Sequence, residues 1–212
     1  VTLALGVDVA AARKGLDLVA LDADRCVVAT RRRATPADVT SMVAEFGPDV
    51  VCIDAPPAWA TSGRSRAAER DLRRLGITAF ATPTDPGDHP FYRWMRAGIA
   101  VFAAVAGTHP RYREGPVAGT ACEVFPEATA VLLAGRLRPA GESKVGFRRA
   151  VLAGHGVDTA RLTTADAVDA ALAALTGLLA LDGTFSAVGE PSDGLIVLPV
   201  VPLPAQPLVR SR

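Results

Sequence analysis

Several residue types are scarce in this sequence, and each shortage excludes a class of protein. Three cysteines, Cys26, Cys52 and Cys122, are odd in number and show no C-x-x-C spacing. A zinc site or a disulfide framework is therefore not expected, and the thiols read as small buried hydrophobes. The three histidines, His89, His109 and His155, lack the spacing of a ligand pair and are not expected to be catalytic. Aromatic residues make up only 5% of the chain, so Trp59, Phe91, Tyr92 and Trp94 read as core or loop anchors before base-stacking platforms. Neither charge sign prevails: Lys+Arg 23 against Asp+Glu 22 gives a net +1. That excludes binding through a polybasic tail but leaves a local basic groove open. No apolar run approaches the ~18 residues of a membrane span. The N-terminus enters an apolar stretch with neither a basic region nor a cleavage site, so a cytoplasmic protein is expected. Val1 in place of methionine is compatible with a trimmed start. There is no P-loop and no glycine-rich dinucleotide fingerprint, and Gly 19 with Pro 16 is far from low complexity.

What is present suits one α/β domain over residues 1–212. Half of the residues are hydrophobic, and the length allows a full core without metal or disulfide support. VTLALGVD at the start, DLVALD from Asp17 and CVVAT from Cys26 read as three strands joined by hairpin-like connections. Thr35 followed by Pro36 opens a helix that closes at Gly47-Pro48. DVVCID from Asp49 is a buried strand. Gly63 to Leu75 is helical and closed by Gly76. Residues 78–118 read as an insertion of loop and helix over the fold, with Phe91 to Val105 its helical part. AGTACEVF from Ala118 is strand-like. Ser143 to Gly154 and Thr164 to Leu181 are helical, and Leu195 to Leu198 reads as an edge strand. The order β-β-β-α-β-α-β-α predicts a three-layer domain with a mixed sheet. The proline-rich end after an edge strand offers a surface for a homodimer.

Acids end the strands. Asp8, Asp54 and Glu123 fall at or near the carboxyl ends of three separate strands, where open α/β sheets gather ligands. Carboxylates brought together in a low-dielectric site repel one another, and a hard divalent cation with oxygen ligands is the usual remedy. Asp166 and Asp169, three apart, share one face at the start of the last helix. Two readings fit them: first-turn acids that favour the helix dipole below a Thr163 or Thr164 cap, or metal ligands. Ala170, Ala173, Gly177 and Ala180 continue that face with small residues, which lets the helix approach its neighbour closely.

An ordered set of motifs carries a resemblance. Gly6-Val7-Asp8-Val9-Ala10 with Lys14-Gly15, Ile53-Asp54-Ala55-Pro56, Gly63-Arg64-Ser65-Arg66 with Glu69-Arg70, Glu123-Val124-Phe125-Pro126-Glu127-Ala128, Lys144, Arg148-Arg149, Asp166-Ala167-Val168-Asp169-Ala170 and Asp193-Gly194-Leu195-Ile196 resemble a predicted-nuclease family catalogued as a domain of unknown function, number four-twenty-nine. The resemblance spans nearly the whole chain and implies a ribonuclease H-like fold. The terminal Asp-x-x-Asp also resembles resolvases of the RuvC type. Those bind magnesium with one acid on strand one, one on strand four and two on the last helix. Here Asp54 stands where the resolvases have the longer Glu.

On this resemblance Asp8, Asp54, Asp166 and Asp169 hold two magnesium or manganese ions, about 3.5–4 Å apart in such sites, with Asp8 bridging. The expected activity is phosphodiester hydrolysis in nucleic acid. Glu123 either joins these acids, orienting water, or is a structural acid beside Pro126. Lys14, Arg64, Arg66 and Lys144 are candidates for phosphate contact. Cations at a helix start oppose the dipole, which favours a ligand role for Arg64 and Arg66 over a merely solvated one. Arg31-Arg32-Arg33 reads as an exposed strand end. Two alternatives stay open: an actin-like phosphotransferase or ATPase, and a non-catalytic metal- or nucleic-acid-binding module or an enzyme of small phosphorylated molecules.

Overall fold

The computed structural model describes residues 2–9 and 14–209. Strands β1 (Leu3–Val9), β2 (Leu16–Asp22) and β3 (Val27–Ala34) pair antiparallel in sequence. β1 and nearly all of β2 are buried on both faces, which explains their continuous apolar runs. Helix α1 (Pro36–Phe46) has both of its expected end signals. The Thr35 hydroxyl accepts from the Asp38 N–H while the Asp38 carboxylate accepts from the Thr35 N–H, and Gly47 ends the helix in the left-handed region at φ 56. Strand β4 (Val50–Asp54) then returns parallel to β1.

The remaining elements are α2 (Ala67–Arg74), a 3-10 turn at Pro90–Tyr92 leading into α3 (Arg93–Val105), β5 (Thr120–Val124), α4 (Pro126–Ala134), α5 (Lys144–Gly154), α6 (Ala165–Leu181), β6 (Ser186–Glu190) and β7 (Gly194–Leu198). They complete a mixed seven-stranded sheet in the order β3-β2-β1-β4-β5-β7-β6. Helices α4, α5 and α6 bury one side chain set with Ala4, Val50 and Cys52, and α1 and α3 bury the other with Leu5, Val7 and Ile53. This is a three-layer α/β arrangement.

The structure departs from the sequence reading in four places. Leu195 to Leu198 is not an edge: β7 lies between β5 and β6, and its apolar run reflects a neighbour on each side. The edge is β6, whose SAVGE sequence carries weak strand formers and a glycine at φ 106. Helix α4 begins on Pro126 directly after β5, so no turn signal separates the two elements. The second half of the 78–118 segment is part of a layer, because α3 buries Val101, Phe102 and Val105 in the core it shares with α1. Of the cysteines, Cys52 and Cys122 are buried, whereas Cys26 is exposed.

The small-residue face of α6 has a measurable consequence. A Cβ on Gly6 of β1 would stand 1.9 Å from the Ala170 carbonyl oxygen, and one on Gly177 would stand 2.6 Å from the Cys52 Sγ. Backbone therefore lies against backbone where α6 crosses β1. That closeness brings the first turns of α6 over the strand ends. Among the described residues no helix is long and apolar enough to cross a membrane.

Candidate functional site

Register determines which acids meet. Asp8 pairs with Asp17 across β1 and β2 and with Asp54 across β1 and β4. Directly paired residues point to the same face of a sheet, so Asp17, Asp8 and Asp54 form one row over three adjacent strands. The N-terminus of α6 covers this row. Thr164 caps the helix by accepting from the Ala167 N–H at 3.0 Å, and its hydroxyl donates to Asp17 Oδ2 at 3.0 Å. One threonine thus ties the helix start to the acid of β2. Asp166 and Asp169 project from the first two turns of the same helix.

The electrostatics reflect the closeness of these five acids. Asp8 is pushed up from 3.8 to about 9, first by burial and then by repulsion from Asp54, Asp169, Asp166 and Asp17. Asp54 is pushed up to about 8 by burial and by Asp169, against the pull of Arg148 and Lys144. Asp169 is raised by burial, with the Arg148 charge opposing. Asp8 and Asp54 accordingly hold protons at neutral pH unless a cation joins them. Their donor set is oxygen only and suits a hard divalent ion. Among the described residues, no three His, Cys, Asp or Glu side chains are gathered as tightly as metal ligands. The row is spread by the ~4.8 Å between strands, and Asp169 is turned to Arg148.

Arg148 is an organiser that the sequence showed only as part of a motif. It is buried, and its guanidinium donates to Asp169 Oδ1 and, at 2.6 Å, to Glu127 Oε2, while its Nε has no partner among the described residues. Lys14 lies 3.6 Å from Asp166 with its side chain 71% exposed. Lys144, exposed at the start of α5, acts on Asp54 and Asp169 through its charge.

Glu123 stands apart from the row. It pairs with Ile53, not Asp54, so the alternation of the pleat sends it to the opposite face. There both of its oxygens accept from Arg66, at 2.6 and 2.7 Å, while the Arg66 Nε donates to Glu69 at 2.8 Å. Arg66, expected to face phosphate, is only 1% exposed, and all three guanidinium nitrogens serve carboxylates. Glu69 ties the assembly further, since its Oε2 also accepts from the Arg66 N–H and the Ser65 hydroxyl. Arg64, by contrast, is exposed in the loop before α2.

Asp54 and Glu123 nevertheless border the same small pocket, walled by Pro56, Phe80, Trp94 and Phe125. Trp59, Tyr92 and Phe91 make edge-to-face contacts with one another and with Phe80, as loop anchors do. The histidines serve backbone: His109 bonds the Pro48 carbonyl, His155 the Val151 carbonyl, and His89 accepts from the Phe91 N–H.

Asp17 is the member of the row that sequence reasoning missed. Nothing in DLVALD marks its first residue as facing Asp8, because that register depends on the connection between β1 and β2. A profile of proteins of unknown function (DUF429) matches residues 6–193. No curated protein and no solved structure matches the chain.

Proposed function

The chain belongs to the DUF429 family of proteins of unknown function, and from the site it carries we propose that it hydrolyses phosphodiester bonds in nucleic acid with bound magnesium or manganese. The observation that carries this reading is the row Asp17–Asp8–Asp54 beneath Asp166 and Asp169. Asp8 and Asp54 close adjacent central strands, Asp17 of β2 and the two acids of α6 lie beside them, and burial followed by mutual repulsion raises Asp8 to about 9. Buried carboxylates that are this costly without a cation, and whose donors are oxygen only, support a metal-binding reading. The strand and helix order through β5, with antiparallel β1–β3 and parallel β1–β4–β5, supports a ribonuclease H-like reading of the fold.

Asp8, Asp54, Asp166 and Asp169 would hold the ions, and Asp17 adds a fifth carboxylate beside Asp8. A bound divalent ion polarises the phosphoryl oxygen and lowers the pKa of water at the site. The protein groups supply placement. Thr164 fixes Asp17, the glycine contact at Gly6 fixes the height of α6 over the row, and Arg148 holds Asp169 while competing with a cation for it. Lys14 and Lys144, both exposed near the acids, would contact phosphate. Arg66 and Glu123 instead brace the neighbouring wall.

Incubation of the purified protein with labelled single-stranded and duplex oligonucleotides, in manganese and in chelator, tests the activity. Metal-dependent cleavage that disappears in Asp8→Asn and Asp54→Asn is the expected result. Cleavage that survives in both variants, or none by the wild type on any substrate, would reject it.

A further inference from the structure

The β2–β3 ladder is irregular beside the acid row. Leu16 pairs with Ala34 and Leu18 with Arg31, so Arg32 and Arg33 together oppose the single residue Asp17. This bulge places Arg33 in the left-handed region at φ 53, a conformation that side chains other than glycine resist. It also needs a glycine across from it: a Cβ on Gly15 would stand 2.7 Å from the Arg33 backbone. Bulges re-aim side chains near functional sites, and a strained residue that persists is a reason to look for function. The outcome here is that both arginines are exposed at the mouth of an open groove whose other lining includes Lys14, Asp17, Thr164 and Asp166.

The ion pairs in this groove are loose. Arg32 is 3.7 Å from Asp17 with its side chain 55% exposed, and Lys14 is 3.6 Å from Asp166 with 71% exposed. In both pairs the cation is the solvated partner, while Asp17 is only 9% exposed; at these separations the exposed cations are free to turn to a better anion. The groove shares Asp17 and Asp166 with the acids but is not lined by Asp8 or Asp54. Its cations therefore lie to one side of the reacting position, where the next charges of a polymer would run.

We propose that this groove carries the phosphodiester backbone of a nucleic-acid strand flanking the acid row, with Lys14, Arg32 and Arg33 contacting its phosphates. The inference rests on the hydrolytic function proposed above and adds the path that the strand takes beside the acid row. It also assigns a role to the arginine run that the sequence presented as a strand end. The near-neutral net charge is no obstacle, because a local stripe of cations is sufficient to release counterions.

Fluorescence anisotropy with labelled single-stranded DNA and RNA, in chelator so that no cleavage occurs, tests the groove separately from the chemistry. The variant R32A/R33N removes both charges, with asparagine chosen because it tolerates left-handed backbone. It should weaken binding roughly ten-fold and reduce the salt slope by about 0.7 for each phosphate no longer neutralised. Arg32→Glu leaves the backbone at residue 33 untouched and should weaken binding at least as much. R74A/R136A removes equal charge elsewhere and should bind as the wild type does. Wild-type affinity in R32A/R33N and Arg32→Glu, an equal weakening in R74A/R136A, or no binding by the wild type would each overturn the proposal. Weakened binding in the groove variants alone upholds it even if no metal-dependent cleavage is found, and then the hydrolytic reading alone falls. Cleavage abolished in Asp8→Asn, with binding indifferent to the groove arginines, rejects the groove alone.

Discussion

Without a divalent cation the protein should lose stability as pH rises through the neutral range, opposite to the usual behaviour of a protein rich in paired carboxylates. Asp8 is raised from 3.8 to about 9 and Asp54 to about 8. Between pH 5 and 7 the folded chain thus keeps protons that the unfolded chain has released. Stability then falls by about 1.4 kcal/mol per pH unit for each retained proton. One proton shared by the pair costs about 2.7 kcal/mol over this interval, and two cost about 5.5 kcal/mol. Either is a large part of the ~5–15 kcal/mol typical of a domain. Raised carboxyl groups contribute fully below their unfolded pKa and lose the contribution as pH rises through the folded value. Asp38 and Asp193 are shifted the other way, held low by bonds from Thr35 and Thr61, so their contribution is lost only on acidification below the ordinary carboxyl range. Urea unfolding at pH 5, 6 and 7 in chelator measures the slope. Asp8→Asn should flatten it, and millimolar manganese should restore stability at pH 7 in the wild type but not in the variant. A flat or rising profile in chelator, unchanged in Asp8→Asn, would refute the reasoning.

Two further outcomes follow from packing. Gly6→Ala places a methyl 1.9 Å from the Ala170 carbonyl oxygen, which forces α6 off the sheet; a loss above about 4 kcal/mol is expected, and a melting temperature within a few degrees of wild type would contradict it. Arg66→Met leaves Glu69 and Glu123 buried without their cation and should cost about 3–5 kcal/mol in urea unfolding, whereas an effect under about 1 kcal/mol would show that the ion triad is not a brace.

Local signals in the chain reveal the elements more readily than the arrangement of the site. Thr35-Pro36 and Gly47 mark α1 because caps are written in adjacent residues. Asp54 is legible because an apolar run stops there, Asp8 because it is the one acid in an apolar strand near its end, and Asp166 with Asp169 because three residues is nearly a helical turn. Asp17 is not, since its place beside Asp8 depends on a pairing register set by the intervening connection. Glu123 is equivalent to Asp54 by the same strand-end logic, yet a pairing with Ile53 moves it to the other face. The role of Arg66 is equally hidden, because its carboxylate partner Glu123 is 57 residues away. β6 escapes notice because SAVGE has neither alternation nor length, and it becomes a strand through pairing with β7.

The central claim is that the strand-end acids bind a divalent cation, and calorimetric titration of manganese into the wild type and Asp8→Asn addresses it directly. Asp8, near 9, and Asp54, near 8, must give up protons to bind at pH 7, so the observed heat should change with the ionisation enthalpy of the buffer. Millimolar or tighter binding with proton release, abolished in Asp8→Asn, is the predicted result. No binding by the wild type, with or without an oligonucleotide present, would contradict the account.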